Sequence, residues 1–337
     1  MKPARILIPV AVLALLAVPW FPQLVYPVFV MKLLCMALFA CAYNLLLGFG
    51  GMMSFGHAAF FGSAAYLTGL ATRDWGLTPE LGLVVGTATA ALLGAVVGAL
   101  AIRRQGIYLA MITLALAQMI YFIFLQLPFT GAEDGMQQIP RGRLLGLIEL
   151  GNDRVLYHLV LGVTLAGLWL IHRIVHSPFG HVVVAIREHE PRARSLGYPV
   201  ARYKLMLFVL SAALSGLAGS MKALVFQLAA LTDVHWHLSG DVVLMALLGG
   251  MHSVLGPALG ATIVVGLQYY LDAFGGWVTL VTGAIFMVCV LVFRRGIAGV
   301  VTALRVPPST QPPPRAPRTP PGRRTLSSSP PEPPVEA

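Results

Sequence analysis

Long apolar stretches separated by short polar connections run through most of this chain. A helix that crosses a bilayer needs about 20 mostly apolar residues, because about 30 Å of hydrocarbon is crossed at 1.5 Å per residue. A shorter apolar piece at 241–252 predicts a half-helix. We therefore predict an all-α polytopic membrane protein with about eight to ten transmembrane helices, some of them broken or re-entrant. The candidate spans are 6–22, 24–47, 57–72, 81–102, 106–128, 155–172, 205–229, 254–272 and 277–293.

A glycine-rich segment interrupts the apolar pattern after the second span. Residues 48–56, called here the glycine break, are Gly-Phe-Gly-Gly-Met-Met-Ser-Phe-Gly and contain too much glycine to continue a helix. A membrane tolerates such a break only where the freed backbone groups are buried in protein or line a polar cavity. For Asn44 and His57, hydrogen bonding between helices and the lining of a pathway are equally good interpretations. The translocation-path candidates are Asn44, Ser54, His57, Thr113 and Gln118.

Lys222 places a charge within the span 205–229. A charge at mid-bilayer costs about 2.5–3.5 kcal/mol on insertion scales. We expect Lys222 to face protein or water, or to extend to the interface from the outer half of its span.

Several spans repeat small residues at every fourth position, which places them along one side of a helix. Helices in membranes gain little from hydrophobic burial against one another and associate by close backbone approach, so these stripes predict tight packing. The stripes are Gly82/Gly86/Ala90/Gly94/Gly98, Ser211/Ser215/Gly219, Ala212/Gly216/Ser220 and Gly256/Gly260.

Composition and charge agree with a membrane protein. Of 337 residues, 57% are hydrophobic and 11% are charged, against roughly 25% charged residues in soluble domains. The net charge of +10 is concentrated at the ends of apolar runs and in the tail, so lipid head groups are expected as partners and nucleic acid is not. The stretch 173–204 is rich in arginine, whereas 230–240 has neither Lys nor Arg. We therefore predict cytoplasmic N- and C-termini and an outer loop at 129–154, although that loop holds three arginines.

Two terminal regions differ from the spans between them. Residues 6–22 have no small-x-small cleavage site after them, so we predict an uncleaved first span rather than a signal peptide. We assign residues 1–305 to a transmembrane permease domain and residues 306–337 to a disordered proline-rich tail.

Motifs for catalysis and cofactor binding are missing from the sequence. None of the four lysines follows a glycine, so there is no phosphate-binding loop, and any ATP must be hydrolysed on another chain. The histidine pairs 172/176 and 235/237 lack a third ligand, so we predict interfacial, hydrogen-bonded histidines and no metal site. No catalytic residues and no cofactor are predicted. A self-contained secondary transporter or channel remains the alternative, with Asp241 and Asp272 as poor candidates for ion coordination.

Several stretches together resemble one protein family. Asn44–Leu70, NLLLGFGGMMSFGHAAFFGSAAYLTGL, closely resembles the signature of the permease subunits of branched-chain amino acid ABC importers, the LivM-like branch. Matching stretches follow in the same order, and the resemblance covers roughly residues 30–295. They are GIYLAMITLALAQ from Gly106, TGAEDGMQQIPR from Thr130, SPFGHVVVAIREHEPRARSLGYPVARYKLMLFVLSAALSGLAGS from Ser177 and LLGGMHSVLGPALGA from Leu247.

The resemblance implies an ABC importer permease fold and a bacterial inner-membrane location. It implies a second permease subunit, two cytoplasmic ATP-binding subunits and a periplasmic solute-binding protein as partners. Branched-chain amino acids are the implied solutes, and relatives carry other amino acids, urea, amides and aromatic acids. His252 and Lys222 depart from the family's pattern, which bears on the solute.

The resemblance also implies that residues 177–204, called here the coupling loop, contain a short helix that docks on the ATPase. Pro191 suits the first turn of that helix and Gly197 its end. The implied ATPase-coupling residues are Arg187, Glu188, Glu190, Arg192, Ala193, Ser195 and Gly197.

Overall fold

The computed structural model describes residues 26–271 except 145, 147 and 252, together with 13, 15–20, 283–284 and 287. Most of the candidate spans 6–22 and 277–293, the tail 306–337 and His252 lie outside these residues, and so do the expectations that concern them.

Helices make up nearly all of the regular structure in this part of the chain. Prolines occupy the first turns of α1, α3 and α6, where the missing amide is not needed. The helices are α1 Pro27–Asn44, α2 His57–Arg73, α3 Pro79–Ala101, α4 Ile107–Gln126, α5 Asp153–Val175, α6 Pro178–Glu188, α7 Glu190–Ser195, α8 Val200–Phe226, α9 Trp236–Gly249 and α10 Gly256–Leu271. The strands are β1 Met136–Gln137, β2 Arg143–Leu144, β3 Ile148–Glu149 and β4 Leu228–Ala229.

The predicted all-α membrane fold is confirmed. Within the described residues, five helices are long and apolar enough to cross a membrane: α1 with its continuation to Phe49, α3, α4, α5 and α8. The half-helix predicted at 241–252 is α9, whose 14 residues cover about 21 Å and cannot cross a bilayer alone. The span predicted at 205–229 starts earlier, at Val200, because helical hydrogen bonding continues past the apolar run into polar sequence.

Helix α8 lies at the centre of the bundle and packs against α1, α2 and α3. On one side its small residues meet the stripe of α3: Gly94 faces Ala212, and Gly216 faces Ala90. On the other side, a Cβ added at Gly219 would collide with the backbone carbonyl of Phe61 in α2. The predicted packing role of these small-residue stripes is confirmed.

Short strands connect the loops at one end of the bundle. β1 pairs antiparallel with β4, with Met136 opposite Ala229, and β2 pairs antiparallel with β3. Arg141 donates to Asp153 at 2.7 Å and to the Val225 carbonyl at 2.9 Å. The predicted outer loop 129–154 is thereby attached to the end of α8. The sequence did not predict these strands.

Candidate functional site

The glycine break is a real interruption between α1 and α2. α1 ends at Asn44 and continues as one wide π-helical turn, Leu45–Phe49, a form that is frequent at functional sites. Gly51 has a φ of +66°, which a residue with a side chain adopts only under strain. The next helix begins at His57, whose side chain is fully buried. Most of the break is therefore buried in the bundle, whereas Gly51 and Met53 are exposed.

His57 connects the start of α2 to α8 and α1. Its Nε2 lies 2.9 Å from Ser211 Oγ, and its Nδ1 lies 3.2 Å from Ser54 Oγ. Ser211 donates its single hydroxyl proton to the Ala42 carbonyl at 2.7 Å, so it must accept from His57. We therefore assign the proton of the neutral imidazole to Nε2, with Nδ1 accepting from Ser54.

Thr113 connects α4 to the glycine break. Its hydroxyl accepts a hydrogen bond from the Phe55 amide at 3.1 Å and donates to the Ala110 carbonyl at 2.9 Å. Gln118 lies farther along α4 and is half-buried. Four of the five translocation-path candidates therefore lie around the glycine break, and the fifth, Gln118, lies farther along α4.

Asn44 joins the break to the connection between α9 and α10. Its Nδ2 donates to the Ser253 carbonyl at 3.1 Å. Its Oδ1 is buried without a hydrogen-bond partner among the described residues and lies against Gly48. No side chain fits at Gly48, because a Cβ would collide with Asn44 Oδ1 and with the Met251 carbonyl.

The coupling loop folds into two short helices, α6 and α7, separated at His189. The predicted short helix is α7: Pro191 lies in its first turn, and Gly197 follows it with a φ of +87°. Ala193 is buried and packs with Ile186 and Val200. Glu188, Arg192, Ser195, Leu196 and Gly197 are exposed.

Glu190 attaches α7 to the rest of the bundle. Its carboxylate accepts hydrogen bonds from Lys204 Nζ at 2.6 Å and from Gln105 Nε2 at 2.7 Å, in α8 and in the α3–α4 connection. Arg194 completes the set at 2.9 Å but is 72% exposed, so its contribution is small. The contacts of Gln105 and Lys204 with Glu190 were not predicted, because no local pattern in the sequence indicates which residues meet Glu190.

Arg187 links the coupling loop directly to the glycine break. Its guanidinium donates a hydrogen bond to the Gly48 carbonyl, and its aliphatic carbons lie against Gly51. Between the break, the α3–α4 connection and the coupling loop is a polar groove of about 200 Å³. Its lining includes Arg104, Gln105, Arg187, Glu190 and Lys204.

Lys222 faces protein rather than lipid. It forms an ion pair with Asp233, whose side chain is only 7% exposed, and it lies 6.0 Å from the centre of the Phe61 ring. Asp233 lies two residues before His235 and four before His237. Those two rings stack at 4.9 Å, and within the described residues no three potential metal ligands form a cluster.

Comparison with known proteins adds independent evidence. A family model described as the permease component of branched-chain amino acid transport systems matches residues 28–293. The high-affinity branched-chain amino acid transport system permease protein LivM of Escherichia coli is 28% identical over 274 residues, covering 74% of this chain and 64% of that protein. Its Salmonella typhimurium counterpart is 30% identical over 273 residues, covering 74% and 62%. The match therefore spans less than two thirds of either relative. No solved structure matches significantly.

Proposed function

Because the chain belongs to the family of branched-chain amino acid transport permease components, we propose that it is the membrane-spanning subunit of an ATP-driven importer. Its solutes would be branched-chain or related amino acids, as the names of its relatives suggest. Two separate subunits would hydrolyse ATP, since this sequence has no phosphate-binding loop. A second permease and a periplasmic binding protein would complete the assembly.

The observation that carries this proposal is the attachment of α7. This short helix carries exposed polar residues, and Glu190 attaches it to the start of α8. Arg187, three residues before Glu190, contacts the glycine break. An ATPase subunit that binds α7 could therefore displace both the N-terminal end of α8 and the glycine break that follows α1. A self-contained channel has no need of such a helix.

The orientation follows from charge. The end that carries the coupling loop also carries Arg103, Arg104 and Arg173, and basic residues favour the cytoplasmic side. On this basis α7 would lie in the cytoplasm, the N- and C-termini would lie on the same side, and the strand-connected loops would lie outside.

The translocation path would run beside the glycine break, at the contact with the second permease. In the present conformation, Asn44, Ser54, His57 and Thr113 are buried and engaged with one another or with backbone groups. Opening the path would require the break to move, which fits transport by alternating access. Gln118, half-buried on α4, would face the path or the second permease.

Reconstitution tests the proposal. The chain is placed in lipid vesicles alone or with the second permease, ATPase subunits and binding protein from the same organism. We expect uptake of leucine, isoleucine or valine only into vesicles that contain the complete assembly and that have ATP on the side of the membrane carrying α7. Solute movement by the chain alone, driven by a gradient and indifferent to ATP, would contradict the proposal and favour a secondary transporter or channel.

A further inference from the structure

The polar groove between the glycine break, the α3–α4 connection and the coupling loop, called here the basic groove, carries an excess of positive charge. Arg104, Arg187 and Lys204 line it, against the carboxylate of Glu190. Glu190 already forms ion pairs with Lys204 at 2.6 Å and with Arg194 at 2.9 Å. The charges of the two lining arginines are therefore not balanced within the groove, which favours an anionic ligand.

The two arginines have hydrogen-bond donors left for such a ligand. Arg104 is exposed and forms no ion pair with any described residue. Arg187 donates to the Gly48 carbonyl, which uses one part of its guanidinium. Each guanidinium presents five N–H donors in a planar fork that matches the oxygens of a phosphate group. A phosphate has enough acceptor oxygens to engage both arginines at once.

The size of the basic groove and one of its walls agree with a phosphate group. Its volume is about 200 Å³, several times the roughly 30 Å³ that one water molecule occupies. Gly106 and Leu109 form the wall at the start of α4. The first amides of a helix lack intrahelical acceptors and carry a positive partial charge, which adds to the attraction for an anion.

An exposed apolar stripe on α4 begins beside the basic groove. Its large side chains are 53–68% exposed, and their spacing of three or four residues, with Ala115 between them, places them on one side of the helix. They are Tyr108, Met111, Met119 and Phe122. At 1.5 Å per residue the stripe extends about 21 Å away from the groove. A ligand that joins an anionic group to hydrocarbon chains matches both surfaces.

We propose that the basic groove and the α4 stripe form one binding site for an anionic phospholipid. Its phosphate binds Arg104 and Arg187, and its acyl chains lie along the stripe. Basic pockets at the cytoplasmic edge of helix bundles bind such head groups. The site goes beyond the proposed function, because neither the solute nor ATP occupies it. Residues 191–197, which contain the surface offered to the ATPase, do not line the groove, so both partners can bind together.

The test measures binding of phosphatidylglycerol to the full-length chain in detergent, by native mass spectrometry and by the rise in Tm. Arg104→Gln removes a cation that lines the groove. Arg103→Gln, the matched control, removes the neighbouring exposed arginine, which does not line it. We expect at least about ten-fold weaker binding in Arg104→Gln, which loses hydrogen bonds to a charged group. Arg103→Gln loses only a charge near the lipid surface and should bind less than about five-fold more weakly.

Other ligands distinguish a lipid from a soluble phosphate compound. Phosphatidylcholine tests whether net negative charge is needed, and glycerol phosphate tests whether acyl chains are needed. We expect neither to raise the Tm at the concentration at which phosphatidylglycerol does. Met111→Gln, on the stripe, should weaken binding of the lipid. Equal stabilisation by glycerol phosphate and phosphatidylglycerol would assign the groove to a soluble phosphate compound and overturn the lipid site.

Equal losses of binding in Arg104→Gln and Arg103→Gln would also overturn the inference. If Arg104→Gln does not fold, a photoreactive phosphatidylglycerol decides, added to the unaltered chain alone and in the complete transporter. We expect it to label residues 104–122. Labelling confined to other segments, or crosslinking of the α4 stripe to the second permease in place of lipid, contradicts the site. Absence of ATP-dependent uptake would instead contradict the proposed function and leaves these binding measurements unaffected.

Discussion

Glu190 accepts a hydrogen bond from Lys204 Nζ at 2.6 Å, and both side chains are largely screened from solvent, at 18% and 13% exposure. The pair joins the helix α7 to the base of α8, the helix that contacts most of the bundle. A force applied to α7 therefore reaches the centre of the protein through a short, charge-assisted contact.

Glu190→Gln should weaken this attachment. The neutral amide leaves the mostly buried Lys204 ammonium without its counter-ion, so we expect a loss of about 1–3 kcal/mol in unfolding free energy. Solute-stimulated ATP hydrolysis should fall as well. Thermal unfolding in detergent and hydrolysis in vesicles measure the two effects. Arg194→Gln is the control, because Arg194 is 72% exposed and its removal should cost less than about 1 kcal/mol. If both variants lost the same unfolding free energy and the same hydrolysis activity, the contact with Lys204 would not be the one that attaches α7.

Arg192→Glu should abolish solute-stimulated ATP hydrolysis while the binding protein still docks. Arg192 is exposed on α7, so charge reversal alters the surface offered to the ATPase without disturbing the core. Gly197→Glu should act similarly, and its φ of +87° adds backbone strain of about 1–3 kcal/mol. Hydrolysis and binding-protein pull-down are measured on the same preparations. Unchanged hydrolysis in both variants would refute the coupling role of this segment.

Ser211→Ala should destabilise the bundle at the glycine break. The substitution leaves His57 Nε2–H and the Ala42 carbonyl without partners in a buried site, at about 1–3 kcal/mol. Ser63→Ala is the matched control, because the Ser63 hydroxyl is equally buried but has no hydrogen-bond partner among the described residues. We expect a lower Tm for Ser211→Ala and little change for Ser63→Ala. The same Tm in both variants would show that the His57 contacts contribute no stability.

Lys222→Met alone should lower the unfolding free energy more than Lys222→Met combined with Asp233→Leu. Removing the lysine alone leaves a buried carboxylate unpaired, whereas removing both charges leaves an apolar contact, which is often neutral or stabilising. A double-mutant cycle on unfolding in detergent measures the interaction. Additive effects of the two substitutions would contradict a direct pair.

The site illustrates which contacts can be anticipated from sequence. The glycine break, the start of α7 near Pro191 and its end before Gly197 were predicted, because glycine and proline constrain the backbone locally. The partners of Lys222 and Glu190 were not predicted. Asp233 precedes α9 and Lys204 lies in α8, and no periodic pattern indicates which polar groups meet across a bundle.

The sequence by itself determined which described segments are long and apolar enough to cross a membrane, where the chain is interrupted at the glycine break and which helix faces carry small residues. These features follow from bilayer thickness and local backbone chemistry, which act on neighbouring residues. Only the tertiary structure decided that Arg187, Asn44 and the α9–α10 connection meet at Gly48. Those residues are far apart in the chain, and their contacts exist only once the helices have packed in one specific arrangement.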